Sequence, residues 1–248
     1  MKTLNSNKLT ALLIIAFVNI LFACHKSGTT PVPPGNGSST TLGTKAQYNN
    51  SSAGVYKGIV IGSTGTIIFT INNGDNVVKG FLNIDNQKDT LSTTTTIISG
   101  QPLINVVFTG RLSSMTLNAN ADGSHANLTA IHITGHSNPT IFIIHENSTK
   151  QVYCYEGTFS GNSAGILNCA RVGQNNGDTA YVLTRITGDT SLSNGFGQVT
   201  NNSTAINLYR DLAVTFAIQG SFSGNNFSGT WSWAAVGGNG TFACTRTY

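Results

Sequence analysis

His132, His136 and His145 fall within fourteen positions of a chain that has only five histidines. Converging imidazoles of that number can hold zinc or a related ion. The stretch "AIHITGHSNPTIFIIHENS" (130–148) is β-branched, with Gly135 and Asn138-Pro139 as turn signals, and reads as a hairpin. Four residues of strand span roughly 13 Å. That is too far for His132 and His136 to share one ion through bonds of ~2.0–2.1 Å. A turn centred on Asn138-Pro139 sets His132 directly opposite His145, but Thr134, Ile141 and Ile143 fill the rest of that face. The other face pairs Ile133 with Ile144 and Gly135 with Phe142 and reads as core. The expectation is a polar hairpin face with no metal and no other cofactor.

Nucleophilic and acid–base chemistry find no better footing. "GNSAG" (161–165) has the Gly-x-Ser-x-Gly spacing of a nucleophile elbow, which needs a strand turning sharply into a helix. The next residues, "ILNCARVG", read as another strand, so Ser163 reads as a turn residue. Asp75, Asp122 and Asp178 sit in Asn/Gly turns, where Asp belongs for backbone reasons. Glu146 and Glu156 are isolated along the chain. Phosphate-loop and dinucleotide fingerprints are absent from the sequence. No catalytic residue is assigned.

Two pairs remain. If the hairpin after Cys154 turns at Gly161-Asn162, Cys154 faces Cys169 directly. Their Cβ atoms are then ~4.5–5.5 Å apart, near disulfide range. Trp231 and Trp233 in "GTWSWAAV" share one strand face. They read as core, and as weak ligand-binding candidates if that face is exposed, where flat rings would suit a sugar.

These residues belong to a chain built for strands. Only 9% of its residues are charged while 39% are hydrophobic, a mix unsuited to exposed helices and too apolar for disorder. From about residue 54, runs such as "TIIFTI", "LINVVFTG" and "AYVLTRI" alternate with "NNGD", "ADG" and "NG" punctuation. That spacing marks consecutive antiparallel hairpins. A unit recurs: 156–185 aligns with 219–246, each ending in Thr-Arg, and 57–75 matches the first half. Duplicated hairpins stack to cover one another's apolar faces. The expected fold is all-β, a many-stranded antiparallel barrel or packed sheets built from hairpin repeats. One domain spans 53–248, divisible into lobes at 53–148 and 149–248.

The first residues differ in kind. "MKTLNSNK" is basic, and "LTALLIIAFVNILFA" is an apolar run too short to span a bilayer, which together read as a leader. It ends in Leu21-Phe22-Ala23-Cys24, which resembles the lipobox of bacterial lipoproteins. That resemblance implies cleavage after residue 23 and acylation of Cys24, with three chains for stable membrane anchoring. Residues 24–52, rich in Pro, Gly, Ser and Thr, read as a flexible tether. The Gly/Thr/Asn-rich repeats resemble Bacteroidetes-type β-repeat envelope lipoproteins of unknown function. "CHKSG" lacks the acidic residues that mark surface export in that group, which implies a periplasm-facing outer-membrane location. Loss of Lys2 and Lys8 with the leader takes thirteen basic residues to eleven against nine acidic, and the formal charge from +4 to +2. Without a basic stripe, nucleic acid is not an expected partner. The expected function is a membrane-anchored, non-catalytic binding or scaffolding module for a glycan or protein ligand. The alternative is a hydrolase of envelope glycans or peptides.

Overall fold

The computed structural model describes residues 43–210 and 213–248. The leader 1–23, Cys24 and the tether as far as residue 42 lie outside the described residues. The chain is all-β and forms two eight-stranded antiparallel sheets in tandem, one a closed barrel and one nearly closed. The first holds β1 (Gly54–Ile61), β2 (Gly65–Ile71), β3 (Val78–Ile84), β4 (Gln87–Ser92), β5 (Leu103–Thr109), β6 (Ser113–Ala119), β7 (Asn127–Ile133) and β8 (Thr140–His145). The second holds β9 (Val152–Gly161), β10 (Gly165–Val172), β11 (Thr179–Ile186), β12 (Ser193–Gln198), β13 (Ser203–Arg210), β14 (Ala213–Ser223), β15 (Asn226–Trp233) and β16 (Gly238–Arg246). In both, strands follow one another as a meander and the last strand pairs back onto the first, β8 on β1 and β16 on β9.

The sequence repeats fall on runs of consecutive strands: 57–75 on β1–β2 and 156–185 on β9–β11, which open the two sheets, and 219–246 on β14–β16, which close the second. Gly157 and Gly220 occupy matching positions in the repeats. A Cβ at Gly157 would strike the Ala243 carbonyl, and one at Gly220 would strike the Phe227 and Phe242 rings. Glycine there lets the second barrel close tightly.

Alternation along each strand sends one set of side chains inward. Phe69, Phe108, Tyr56, Met115 and Leu117 fill the first interior. Tyr155, Phe159, Phe227, Trp231 and Phe242 help fill the second, where Phe222 and Phe227 stack at 4.3 Å between centroids. Both interiors are packed cores rather than cavities.

The outer face of β1 is buried too, because the two sheets pack against each other there. Ile59 and Ile61 meet Val152, Cys154, Ala170 and Leu183. Asn168 of β10 donates to the carbonyls of Val60 and Ser63 and accepts from Gly157 N at 3.2 Å. At the centre of this junction Lys57 Nζ donates to Glu146 Oε2 at 2.6 Å, with both side chains buried. Glu146 also accepts from Val152 N at 2.7 Å and Thr44 N at 3.0 Å.

The Thr44 contact corrects the tether boundary. Residues 43–52 pack on the first sheet: Asn49 pairs with Ser148, Ser52 is buried, and a 3₁₀ turn forms at Ala46–Tyr48. The compositional signal of a linker extends into this stretch because its contacts are made by backbone and short polar side chains.

Removing one partner of a buried ion pair leaves the other charge unpaired. Glu146→Gln is expected to lower unfolding free energy by about 3–5 kcal/mol, measured by urea titration. An unchanged midpoint would show that the pair does not join the sheets.

Candidate functional site

The two sheets each carry a surface groove, that of the second about 530 Å³ along Thr204, Gln219 and Thr230, but they differ in the pairing of their last two strands. β15 and β16 pair continuously from Asn226↔Thr245 to Trp233↔Gly238. The equivalent strands β7 and β8 are not hydrogen-bonded neighbours. The nearest main-chain bridge, Ile133↔His136 with His136 N donating to Ile133 O at 3.0 Å, joins β7 to the link before β8 and not to β8 itself. Two local features hold them apart. Ala130 adopts a left-handed φ of 47°, and the β6–β7 register shifts beside it. Such a bulge bends its strand. Residues 134–139, with Gly135 at φ 82° and Asn138 at φ 52°, make a wide link ending in Pro139. The result is a groove of about 660 Å³ lined by Leu128, Ala130, His132, His136, Asn138 and Ile141. A second depression of about 450 Å³, between Asp122–Ala126 and Ile143–His145, continues the line of the seam.

This arrangement corrects the sequence-based pairing of the histidines. His145 sits opposite Tyr56 of β1, not His132, with its ring 4.6 Å from the Tyr56 ring. Its Nε2 lies 3.0 Å from Ala53 O. Burial pulls the His145 imidazole below its ordinary pKa, against the opposing effects of the Ala53 bond and the Glu146 and Asp122 charges. His132 is exposed on β7, and His136 Nε2 lies 3.5 Å from Asp85 Oδ2. The hairpin pattern misleads here because β8 takes a partner distant in sequence. No group of three or more His, Cys, Asp or Glu among the described residues is placed to hold a metal.

The cysteine pairing is also corrected. The β9–β10 turn uses three residues, 162–164, so Cys169 pairs with Tyr155 and Cys154 with Ala170. Cys154 therefore faces the junction between sheets while Cys169 faces the second core. Both are free buried thiols, as is Cys244. Burial pushes Cys154 up to about 12 and raises Cys169 and Cys244, which removes thiolate chemistry at neutral pH.

Trp231 lies inside the second barrel, its Nε1 donating to Ser160 O at 3.0 Å and its ring edge-on to Phe159 and Phe216. It offers no face to a ligand. Trp233 is half-buried, 5.1 Å from the Phe216 ring. Outward aromatics include Phe81, Tyr209 and a row of Phe142, Tyr181 and Phe196 that runs from β8 to β12 at 4.9 and 6.0 Å spacings. Their signal in the sequence is the strand parity opposite to the core positions.

Ser163 lies in the β9–β10 turn. Ser63, Asp85 and His136 do approach one another, but in an order unsuited to acyl transfer. Asp85 Oδ1 accepts from the Ser63 and Thr64 hydroxyls, and its Oδ2 faces His136. A nucleophilic triad needs the imidazole on the hydroxyl. Sequence reasoning also missed Asp89, which is buried. Its carboxyl stays below its usual range because bonds from Ser113, Leu112 and Arg111 outweigh burial.

Among the described residues Glu156 is the carboxyl raised strongly, from its ordinary 4.5 to about 7, first by burial and then by the Asp85 charge. Asn83 Nδ2 donates to its Oε1 at 3.5 Å. Because the folded state keeps this proton to higher pH than the unfolded chain, stability falls as pH rises from about 4.5 to 7. Glu156→Gln should match the parent near pH 4 and exceed it by about 1–2 kcal/mol at pH 8, the linkage value discounted for solvent screening. Urea titrations at the two pH values check this, and a pH-independent difference would refute it.

Comparison with protein-family models, curated proteins and solved structures finds no match to this chain.

Proposed function

We propose that the protein is a membrane-anchored, non-catalytic binding module of the cell envelope. The observation that carries this reading is the contrast between two like-built sheets. Both interiors are filled, so neither holds a ligand as larger barrels do. One sheet is closed by main-chain pairing all round, and the other leaves β7 and β8 unpaired beside a groove of about 660 Å³. Anchoring rests on the resemblance of Leu21-Phe22-Ala23-Cys24 to a lipobox, with Cys24 as the lipid-bearing residue and the outer membrane as the surface. The residues after Cys24 would hold the two sheets off the bilayer, facing the periplasm. Glycan or protein ligands suit such a module, and nucleic acid does not.

A second reading, hydrolysis of an envelope glycan, has one observation in its favour. Glu156, with its pKa near 7, stands close enough to Asp85 to feel its charge, as an acid and its partner carboxylate do in glycosidases. Asp85 is already engaged by Ser63, Thr64 and His136, and Glu156 lies half-buried against Asn83. Glu156→Gln separates the readings: it abolishes polysaccharide cleavage under the second and alters only the pH dependence of stability under the first.

Anchoring has its own test. Cys24→Ala is expected to release the protein from the membrane fraction and to abolish incorporation of labelled palmitate. Unchanged labelling would sink the lipoprotein reading.

A further inference from the structure

We infer that Arg171 and Arg246 form a binding site for a small oxyanion, a carboxylate or phosphate group, at one mouth of the second barrel. This goes beyond the binding-module reading and depends neither on membrane anchoring nor on the groove beside β7 and β8. Along β10, Leu167 and Cys169 point into the second core, so two-residue alternation turns Arg171 the same way. On β16, Phe242 and Cys244 point inward, and Arg246 follows with the same parity. Both strands pair with β9, where Arg171 lies opposite Tyr153 and Arg246 opposite Tyr155. The two arginines therefore flank one strand on its inner face. Two strand spacings separate them, about 10 Å, a gap that their long side chains can close on a single anion.

Arg171 is a buried cation short of partners. It is 4% exposed, yet among the described residues no carboxylate lies within ion-pair reach of it. Its guanidinium carbon sits 4.6 Å from the centre of the Phe222 ring, which attracts the charge without neutralising it. Nη2 donates to Asn202 Oδ1 at a long 3.4 Å, and Nε has no acceptor. A guanidinium carries five donors, and burying its charge unpaired is costly. Carboxylates on neighbouring segments are engaged elsewhere: Asp178 with Lys150 at 3.3 Å and Asn175 N, and Glu146 with Lys57. Arg246 also lacks an ion pair among the described residues and lies 5.0 Å over the Tyr153 ring. Burial raises the Tyr153 hydroxyl, and Arg246 and Arg171 are the two cations that oppose the rise. Both charges thus converge on one ring.

Solvent reaches this mouth. Asn202 is exposed in the turn before β13, so the head of Arg171 ends at the barrel rim and not in the centre of the core. Arg246 is half-buried, and its main-chain N–H bonds the carbonyl of Asn225 in the exposed β14–β15 turn. An entering oxyanion takes over the Arg171 donor from the neutral Asn202 amide, which turns outward. The turn itself stays in place through Phe222 N on Asn202 O at 2.7 Å. Carboxylate and phosphate oxygens match the forked N–H groups of a guanidinium, and their charge supplies what a neutral amide cannot.

The intact 15N-labelled protein is titrated with inorganic phosphate and, separately, with acetate, chloride holding the ionic strength constant. The Nε–H resonances of Arg171 and Arg246 should shift together and saturably with at least one anion. That of Arg210, already paired with Asp189, should stay in place. A response to phosphate alone assigns a phosphate group, to acetate alone a carboxylate, and to both the chemistry they share. Arg171→Met removes an unpaired buried charge, so in chloride it should melt no lower than the parent while binding the anion at least about tenfold more weakly. Arg246→Gln, at a half-buried position, should keep the fold and weaken binding to a similar degree. Shifts that are absent or unsaturable with both anions would overturn the inference. So would undiminished affinity in Arg246→Gln, or Arg171→Met melting well below the parent, which would mean that the fold already satisfies the charge.

Discussion

The buried pair between Lys57 and Glu146 ties together every part of the described chain. Lys57 comes from the outer face of β1, Glu146 from the link after β8, and the remaining carboxylate contacts come from Thr44 and Val152. One side chain thus joins the incoming segment, the first sheet and the first residue of the second. A carboxylate taken out of water costs several kcal/mol unless its acceptor sites are filled. Here three donors fill them, and the apolar cluster of Ile59, Ile61, Val152, Cys154 and Leu183 surrounds the pair. The pair adds direction to an interface that apolar contact alone would leave free to slide.

That fixed junction has consequences for the first sheet. β1 is buried on both faces and takes β2 and β8 as neighbours, which leaves the other edge of β8 facing β7. The bulge at Ala130 bends β7 away from the other edge. In the second sheet the short turn Ala234–Val236 feeds β16 straight back along β15 and closes the ring. The same meander therefore ends sealed in one sheet and open in the other. The difference arises from a bulge and a turn, not from the cores, which are equally well filled.

Chemistry is sparse on this scaffold, and burial explains why. The cysteines are raised out of reach of thiolate formation, Trp231 is enclosed by other rings, and Asp89 is saturated by turn donors. Glu156 is the exception, a half-buried carboxyl answered by an amide instead of a cation.

Period-two alternation of Val, Ile, Phe and Thr, broken by Asn-Gly turns, is a local property, and the strands, the duplicated hairpins and the core parity could be read from it. The inward positions of Phe159, Phe222 and Trp231 follow from that parity alone. Pairing is another matter. A turn of three residues instead of two moves Cys154 and Cys169 to opposite faces, because a one-residue slip in a strand inverts its sides. No local pattern distinguishes those turns. Nor does any tell β8 to pair with β1, far earlier in the chain, instead of with its neighbour β7. Ring closure is decided by the sum of contacts around the sheet and against its twin. The seam, the isolation of the histidines and the burial of Glu146 therefore came only with the tertiary structure.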